Sequence, residues 1–182
     1  MPFDLNARHI LVTRPNPQGK DLCDRLKAAG AFPIYFPTLE IVASPDPNFI
    51  ADIAKIDQLD WLIFISPQAV MQSAEAIRAA FPIFPDKVKV AAIGQGTALK
   101  LREENFPVTV VPIEDWRTEG LLAMPAFETY QNQKIAIVKG VGGREMLGNT
   151  LREKGVQVTE IIAYERVLPK TNPKIVEPYL DN

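Results

Sequence analysis

The feature that most restricts the fold is an alternation. Short runs rich in Val and Ile (HILVT, DWLIFIS, VKVAAIG, VTVVP and KIAIVKG) take turns with helix-length segments: KDLCDRLKAAG, QAVMQSAEAIRAAF, GTALKLREENF, TEGLLAMPAF and REMLGNTLREKG. The apolar runs are continuous, as in strands covered on both faces of a parallel sheet. Strands and helices in regular succession predict an α/β protein. Gly30 and Gly155 stand where helices end, and Thr118 with Glu119 opens one.

A repeat lies within that alternation. When Ile10 is set against Ile135, an offset of 125, residues His9 to Val42 and Lys134 to Val167 run in register without a gap. Ile10, Leu22, Leu26, Gly30, Glu40 and Val42 then meet Ile135, Leu147, Leu151, Gly155, Glu165 and Val167, and Arg14 meets Lys139. Shared apolar spacing is expected of any two strand-helix-strand pieces. The common helix-ending glycine, the common cation at the strand exit and the common Glu-x-Val ending favour duplication. The first copy is followed by further strand-helix segments and the second by only fifteen residues, LPKTNP and then KIVEPYLDN. The chain is thus expected to hold one copy and a fraction of a larger unit.

Composition removes several classes of function. With 182 residues, 47% of them hydrophobic, the chain can build a real core. Its 20 basic and 22 acidic residues are interspersed, giving a formal charge of -2, so no basic face for nucleic acid is expected. Cys23 is the single cysteine, which rules out an internal disulfide and suits a reducing cytoplasm. It reads as a small core residue. His9 is the single histidine, so neither a Ser-His-Asp triad nor a multi-histidine zinc site can be assembled. The opening MPFDLNARH lacks the apolar core of a secretory leader, and no stretch is apolar enough to span a membrane. A cytoplasmic protein without metal chemistry is expected.

The stretch IVKGVGGREM, Ile137 to Met146, carries the clearest loop signal. Gly140 and Gly142 satisfy the first two positions of the dinucleotide-binding pattern G-x-G-x-x-G, but the third falls on Glu145; the stretch also lacks the G-K-[ST] ending of a P-loop. A nucleotide site is therefore disfavoured. Lys139 is a cation at a strand end, Gly140, Gly142 and Gly143 leave the backbone bare, and Arg144 with Glu145 starts a helix. A helix N-terminus holds carboxylates nearly as readily as phosphates. A plain tight turn is the alternative.

Six pieces together resemble the uroporphyrinogen-III synthase family: ILVTRP (Ile10 to Pro15), SPQAV (Ser66 to Val70), AIGQGTA (Ala92 to Ala98), TEGLL (Thr118 to Leu122), KGVGGREML (Lys139 to Leu147) and YERV (Tyr164 to Val167). Each is weak alone, and their order and spacing cover nearly the whole chain. The resemblance implies two similar parallel-sheet, flavodoxin-like α/β domains joined by a two-stranded linker. The crossings would lie near Pro37 to Ala43 and near Ala163 to Pro169. Residues 1–38 plus 168–182 would belong to domain one, incomplete in this chain, and 39–167 to domain two. Members close the linear tetrapyrrole hydroxymethylbilane into uroporphyrinogen III, inverting the last pyrrole ring and releasing water, with no cofactor.

Such a substrate carries carboxylate arms around its edge, and the loops after parallel strands are where it would be met. Ser66 before Pro67 reads as a helix N-cap and equally as a donor to a ligand. Gly94 and Gly96 bare the backbone of the next loop, and Thr97 caps the helix or contacts an acid. Where the family usually carries Arg, this chain has Lys139, a point charge in place of a bidentate fork. Arg14 is its counterpart in the first copy, in a loop stiffened by Pro15 and Pro17, or else a surface arginine. Tyr164, at the return crossing, holds the position that the resemblance assigns to assisting departure of the hydroxyl. A phenol is a protonated donor at neutral pH. A buried hinge tyrosine is the alternative. Trp61 and Trp116 read as packing residues.

The expected partner is thus a small tetrapyrrole, with neither nucleic acid nor membrane. The protein would be a monomer when full length, and the truncated form would dimerise or swap through unpaired sheet edges. The competing readings are a non-catalytic α/β ligand-binding or interaction remnant without a complete cleft, and a nucleotide-binding protein.

Overall fold

A computed structural model of the chain describes residues 5–113, 115–127, 132–143 and 145–179. Arg144 at the expected helix start, the opening residues Met1 to Asp4 and the closing residues Leu180 to Asn182 lie outside the described residues. The chain divides into two compact units, Met1–Val42 with Arg166–Asn182, and Ala43–Glu165.

The first unit is built on β1 (His9–Val12), α1 (Gln18–Ala28) and β2 (Phe32–Tyr35). β1 and β2 pair in parallel, His9 opposite Phe32 and Val12 opposite Tyr35. α1 ends on Gly30 at φ 82°, a left-handed conformation that glycine adopts without penalty. There Gly30 N–H donates to Lys27 O at 3.0 Å and Ala31 N–H to Leu26 O at 3.0 Å, the paired bonds of a Schellman ending. The expected linker and tail at the C-terminus contain short 3₁₀ turns, Pro173–Ile175 and Glu177–Tyr179. Tyr179 lies 5.1 Å from the His9 ring, centroid to centroid.

The chain passes from the first unit to the second within β3 (Glu40–Ala43) and continues through α2 (Phe49–Ile53), β4 (Trp61–Phe64), α3 (Pro67–Ala80), β5 (Lys89–Ala92), α4 (Gln95–Glu103), α5 (Thr118–Leu122), β6 (Lys134–Gly140), α6 (Met146–Glu153) and β7 (Gln157–Val167), near whose end the second unit closes. The five-stranded sheet runs β3-β7-β6-β4-β5. β4 pairs in parallel with both β5 and β6, and β6 with β7. Every residue of β4 is buried, as its unbroken apolar sequence requires in a strand covered on both faces. Trp61, Ile63, Ala91, Ile135 and Ile137 turn to one face and pack with Leu121, Phe127, Leu147, Leu151 and Val156 from α5, α6 and their flanking turns. The intervening strand residues turn the other way, since successive side chains alternate; α3 packs against β4 and β6, and on α4.

The repeat is present in the backbone. Lys134 faces Gln157 across β6–β7 as His9 faces Phe32 across β1–β2, each partner displaced by the same 125 residues. α6 ends like α1: Gly155 has φ 81°, its N–H donates to Arg152 O at 3.0 Å, and Val156 N–H donates to Leu151 O at 3.1 Å.

Two elements depart from the sequence reading. VTVVP does not form a strand; it contributes an isolated parallel bridge, Val110 to Ala91, with Thr109 N–H on Val90 O at 2.8 Å. Pro107 and Pro112 bracket the run, and neither can donate to a ladder. The short helix α2 was not foreseen. It follows Asp46, whose Oδ1 accepts from Asn48 N–H at 2.8 Å, an Asx-type turn just before the helix. Among the described residues no helix is long and apolar enough to cross a membrane, and no cluster of three His, Cys, Asp or Glu could hold a metal ion.

Candidate functional site

The carboxyl ends of β4, β5 and β6 bring together most of the residues that the sequence singles out. β4 is followed by Ile65 and Ser66, and Ser66, in extended backbone, caps α3: its Oγ accepts from Ala69 N–H at 3.0 Å. Pro67 occupies the first helical position, where its missing N–H is no loss. Such a cap stabilises by about 1 kcal/mol. The same Ser66 Oγ lies 3.3 Å from Tyr164 Oη, reached from β7 across 98 positions of sequence. One hydroxyl therefore ends a helix and meets the phenol.

Tyr164 is 2% exposed and sits opposite Gly140, just past a register shift between Lys139 and Gly140. Its carbonyl accepts from Val141 N–H at 2.8 Å. A Cβ on Gly140 would lie 2.6 Å from Tyr164 Cζ. Gly140 thus has its side-chain position filled by the phenol ring, a different duty from bare backbone for a ligand. Past it, Gly142 and Gly143 turn at φ 69° and 90° with nothing within 4 Å of where their Cβ would stand.

The next loop abuts the first. Gly94 is the N-cap of α4, and a Cβ on Gly96 would be 3.7 Å from Pro67 Cγ. Thr97 is buried within the first turn of α4, with its N–H on Gly94 O at 3.1 Å, so the capping position belongs to Gly94. A Cβ on Gly94 would be 3.3 Å from Trp116 Cβ. Tyr164, Ser66, Pro67, Gly96, Gly94 and Trp116 thus form a continuous line along one sheet edge.

Lys139 is placed differently from the sequence reading. It is 5% exposed, and its Nζ lies 3.0 Å from Glu160 Oε2; Glu160 Oε1 takes Arg152 NH2 from α6 at 3.0 Å. A Cβ on Gly148 of α6 would stand 3.0 Å from Glu160 Oε1, so this glycine lets the helix lie close over the carboxylate. Burial pushes the Glu160 carboxyl up, but the hydrogen bonds from Lys139 and Arg152 outweigh it and hold it below the usual carboxylate range. Glu160, Arg152 and Gly148 escaped the sequence reading. The available signal was one charge in each of two otherwise uncharged strand runs, Lys139 in IAIVKG and Glu160 in QVTEIIA. Arg14, in the other unit, is exposed and its NH2 lies 3.2 Å from Gln18 Oε1.

The sequence profile described as uroporphyrinogen-III synthase HemD matches residues 20–182. The chain belongs to the uroporphyrinogen-III synthase family. It is 31% identical over 159 residues to the uroporphyrinogen-III synthase of Proteus mirabilis, covering 87% of this chain and 80% of that relative. Identity to that of Escherichia coli is 32% over 158 residues, 86% of this chain and 64% of that relative. The chain thus spans under two thirds of some of the synthases it matches. Among solved structures, a mutant uroporphyrinogen III synthase from Thermus thermophilus superposes with a TM-score of 0.65 at 20% identity, covering 93% of this chain and 66% of that one. The synthase from Helicobacter pylori gives 0.55 at 16% identity, covering 94% and 67%. These likenesses show the mixed α/β fold with parallel sheets.

Proposed function

We propose that this chain carries the family's reaction, closing hydroxymethylbilane into uroporphyrinogen III with inversion of the last ring and loss of water, as a step in heme and other tetrapyrrole synthesis. The observation that supports it most is the Tyr164–Ser66 pair: two hydroxyls 3.3 Å apart, from β7 and from the cap of α3, at the edge where parallel sheets meet ligands. In this reading the hydroxyls deliver a proton to the departing hydroxymethyl oxygen. The carbon–oxygen bond breaks, water leaves, and the proton released when the ring carbon is joined returns to the pair. Holding a flexible chain with its ends together supplies the rest of the acceleration, so neither metal nor organic cofactor is assigned a part.

The starts of α3, α4 and α6 offer backbone amides and a positive dipole end to the carboxylate arms. Gly94, Gly96 and Gly142 keep those amides approachable. Thr97 contributes through its position in the first turn of α4. Lys139 and Gly140 belong to the reading as supports of Tyr164, with the ammonium also adding positive field. Arg14 is the cation assigned to domain one by the resemblance. Two flavodoxin-like domains, with residues 1–38 and 168–182 as part of the first and 39–167 as the second, complete the proposal, as does a cytoplasmic location, in keeping with a free, buried Cys23.

The test is to incubate the 182-residue chain with freshly prepared hydroxymethylbilane and separate the products. Uroporphyrinogen III above the spontaneous background is expected. Uroporphyrinogen I alone would replace this reading with that of a non-catalytic α/β binding protein.

A further inference from the structure

Trp116 was expected to pack, yet it is 59% exposed. Its Cβ and the root of its ring lie beside the open side-chain position of Gly94, and its Nε1 donates to Ile113 O at 3.1 Å. That bond holds the indole to its own loop and satisfies its one polar group, leaving the ring faces as what it offers to a partner. A methyl group on Gly94, 3.3 Å from Trp116 Cβ, would press on the Trp116 side chain. Ile113 beside it is also exposed. A large aromatic surface left in water and tied to its own loop is what remains to be explained; Trp61, by contrast, is fully buried and tilted against Phe127 with ring centroids 4.6 Å apart.

Its neighbours indicate the occupant. Trp116 ends the contiguous line that runs through Gly94, Gly96, Pro67 and Ser66 to Tyr164. Helix starts along that line suit anionic arms, and an aromatic face suits a flat, electron-rich ring carrying those arms. We infer that Trp116 is a substrate-contact residue, a stacking platform for one pyrrole ring of the tetrapyrrole, while the amides after β4 and β5 hold that ring's carboxylates. This rests on the reading of the site given above. Trp116 takes no part in proton transfer; it binds and orients.

The experiment uses the full chain, Trp116→Ala, Trp116→Phe, and uroporphyrinogen III as the probe, whose separate pyrroles do not absorb where tryptophan emits. Being exposed, Trp116 can be replaced without opening the core, and thermal unfolding verifies this. Saturating uroporphyrinogen III should reduce acrylamide quenching of the exposed tryptophan several-fold in the wild type. With hydroxymethylbilane, Trp116→Ala should raise KM roughly three- to tenfold, the worth of a stacked aromatic pair, with little change in kcat. Trp116→Phe should recover most of the loss. Wild-type turnover with unchanged quenching and an unchanged KM in Trp116→Ala would overturn the platform and leave the proposed reaction standing. A wild-type chain that neither binds the probe nor yields uroporphyrinogen III would overturn both.

Discussion

Leu11 in β1 is 50% exposed, while Ala136, its counterpart 125 residues on, is 1% exposed. The two copies share strand register and helix ending, yet β6 lies between β4 and β7 with six of its seven residues buried, whereas β1 is paired with β2 in a two-stranded sheet. Charge differs as well. Where the second copy sets Glu160 against Lys139, the first has Tyr35 and an exposed Arg14. Tyr164 has Leu39 as its counterpart. One backbone plan therefore carries an ion pair, Tyr164 and a glycine turn in one copy, at positions where the other has Arg14 with Tyr35, Leu39 and Pro17. The plan sets the fold, and a few substituted positions set the chemistry.

Glu160→Gln should have the largest effect, leaving the Lys139 ammonium buried without its counter-charge. A loss of about 2–3 kcal/mol is expected in urea unfolding, at the low end for a broken buried pair because Glu160 is partly exposed. Tyr35→Phe, at the equivalent place in the first copy, should cost less than about 1 kcal/mol. Similar losses from the two would erase the distinction between the copies. Next is Gly140→Ala, whose methyl group would press on the Tyr164 ring. It should cost about 1–3 kcal/mol as overpacking and lower uroporphyrinogen III formation with it.

Smaller and equal effects are expected where the copies agree. Gly30→Ala and Gly155→Ala both place a side chain at φ near 80° and should each cost about 1 kcal/mol. Unequal costs would show that the matching helix endings are not equivalent in energy. The acid side of the stability profile should give the smallest signal. The Glu160 carboxyl is held below its ordinary value of 4.5 in the folded chain, so its contribution is complete above that pH. It is lost as pH falls through the lowered folded value. Glu160→Gln should flatten that limb of a pH titration of unfolding, and an unchanged slope would dissociate Glu160 from it.

Most of the fold was legible because it rests on period and punctuation. Continuous Val and Ile runs, helix-length segments and the glycines at 30 and 155 each reflect local backbone physics, and the repeat reinforced them. VTVVP misled because β-propensity describes a residue's fit to a sheet surface, while its two flanking prolines decide whether a ladder can form. The site was legible in part. Ser66 and Tyr164 stood out as residue types at loop and crossing, but their separation of 3.3 Å is a tertiary fact. The reason for Gly140 was equally hidden, since a glycine that admits an aromatic ring and one that admits a ligand are the same letter. Lys139 read as a free cation because its partner, Glu160, lies on the neighbouring strand, and no helical spacing links them.

The central claim is that Tyr164, held by Ser66 and seated on Gly140, assists the loss of water. It is tested most directly by comparing Tyr164→Phe with the unaltered chain on freshly prepared hydroxymethylbilane, below the unfolding temperature of both, with the isomers separated. The ring still fits over Gly140 and only the hydroxyl is gone. Formation of uroporphyrinogen III should fall by about 10²-fold, the low end for a positioned proton donor, leaving spontaneous uroporphyrinogen I as the main product. Uroporphyrinogen III formed by Tyr164→Phe at the wild-type rate would remove the phenol from the reaction and contradict the account.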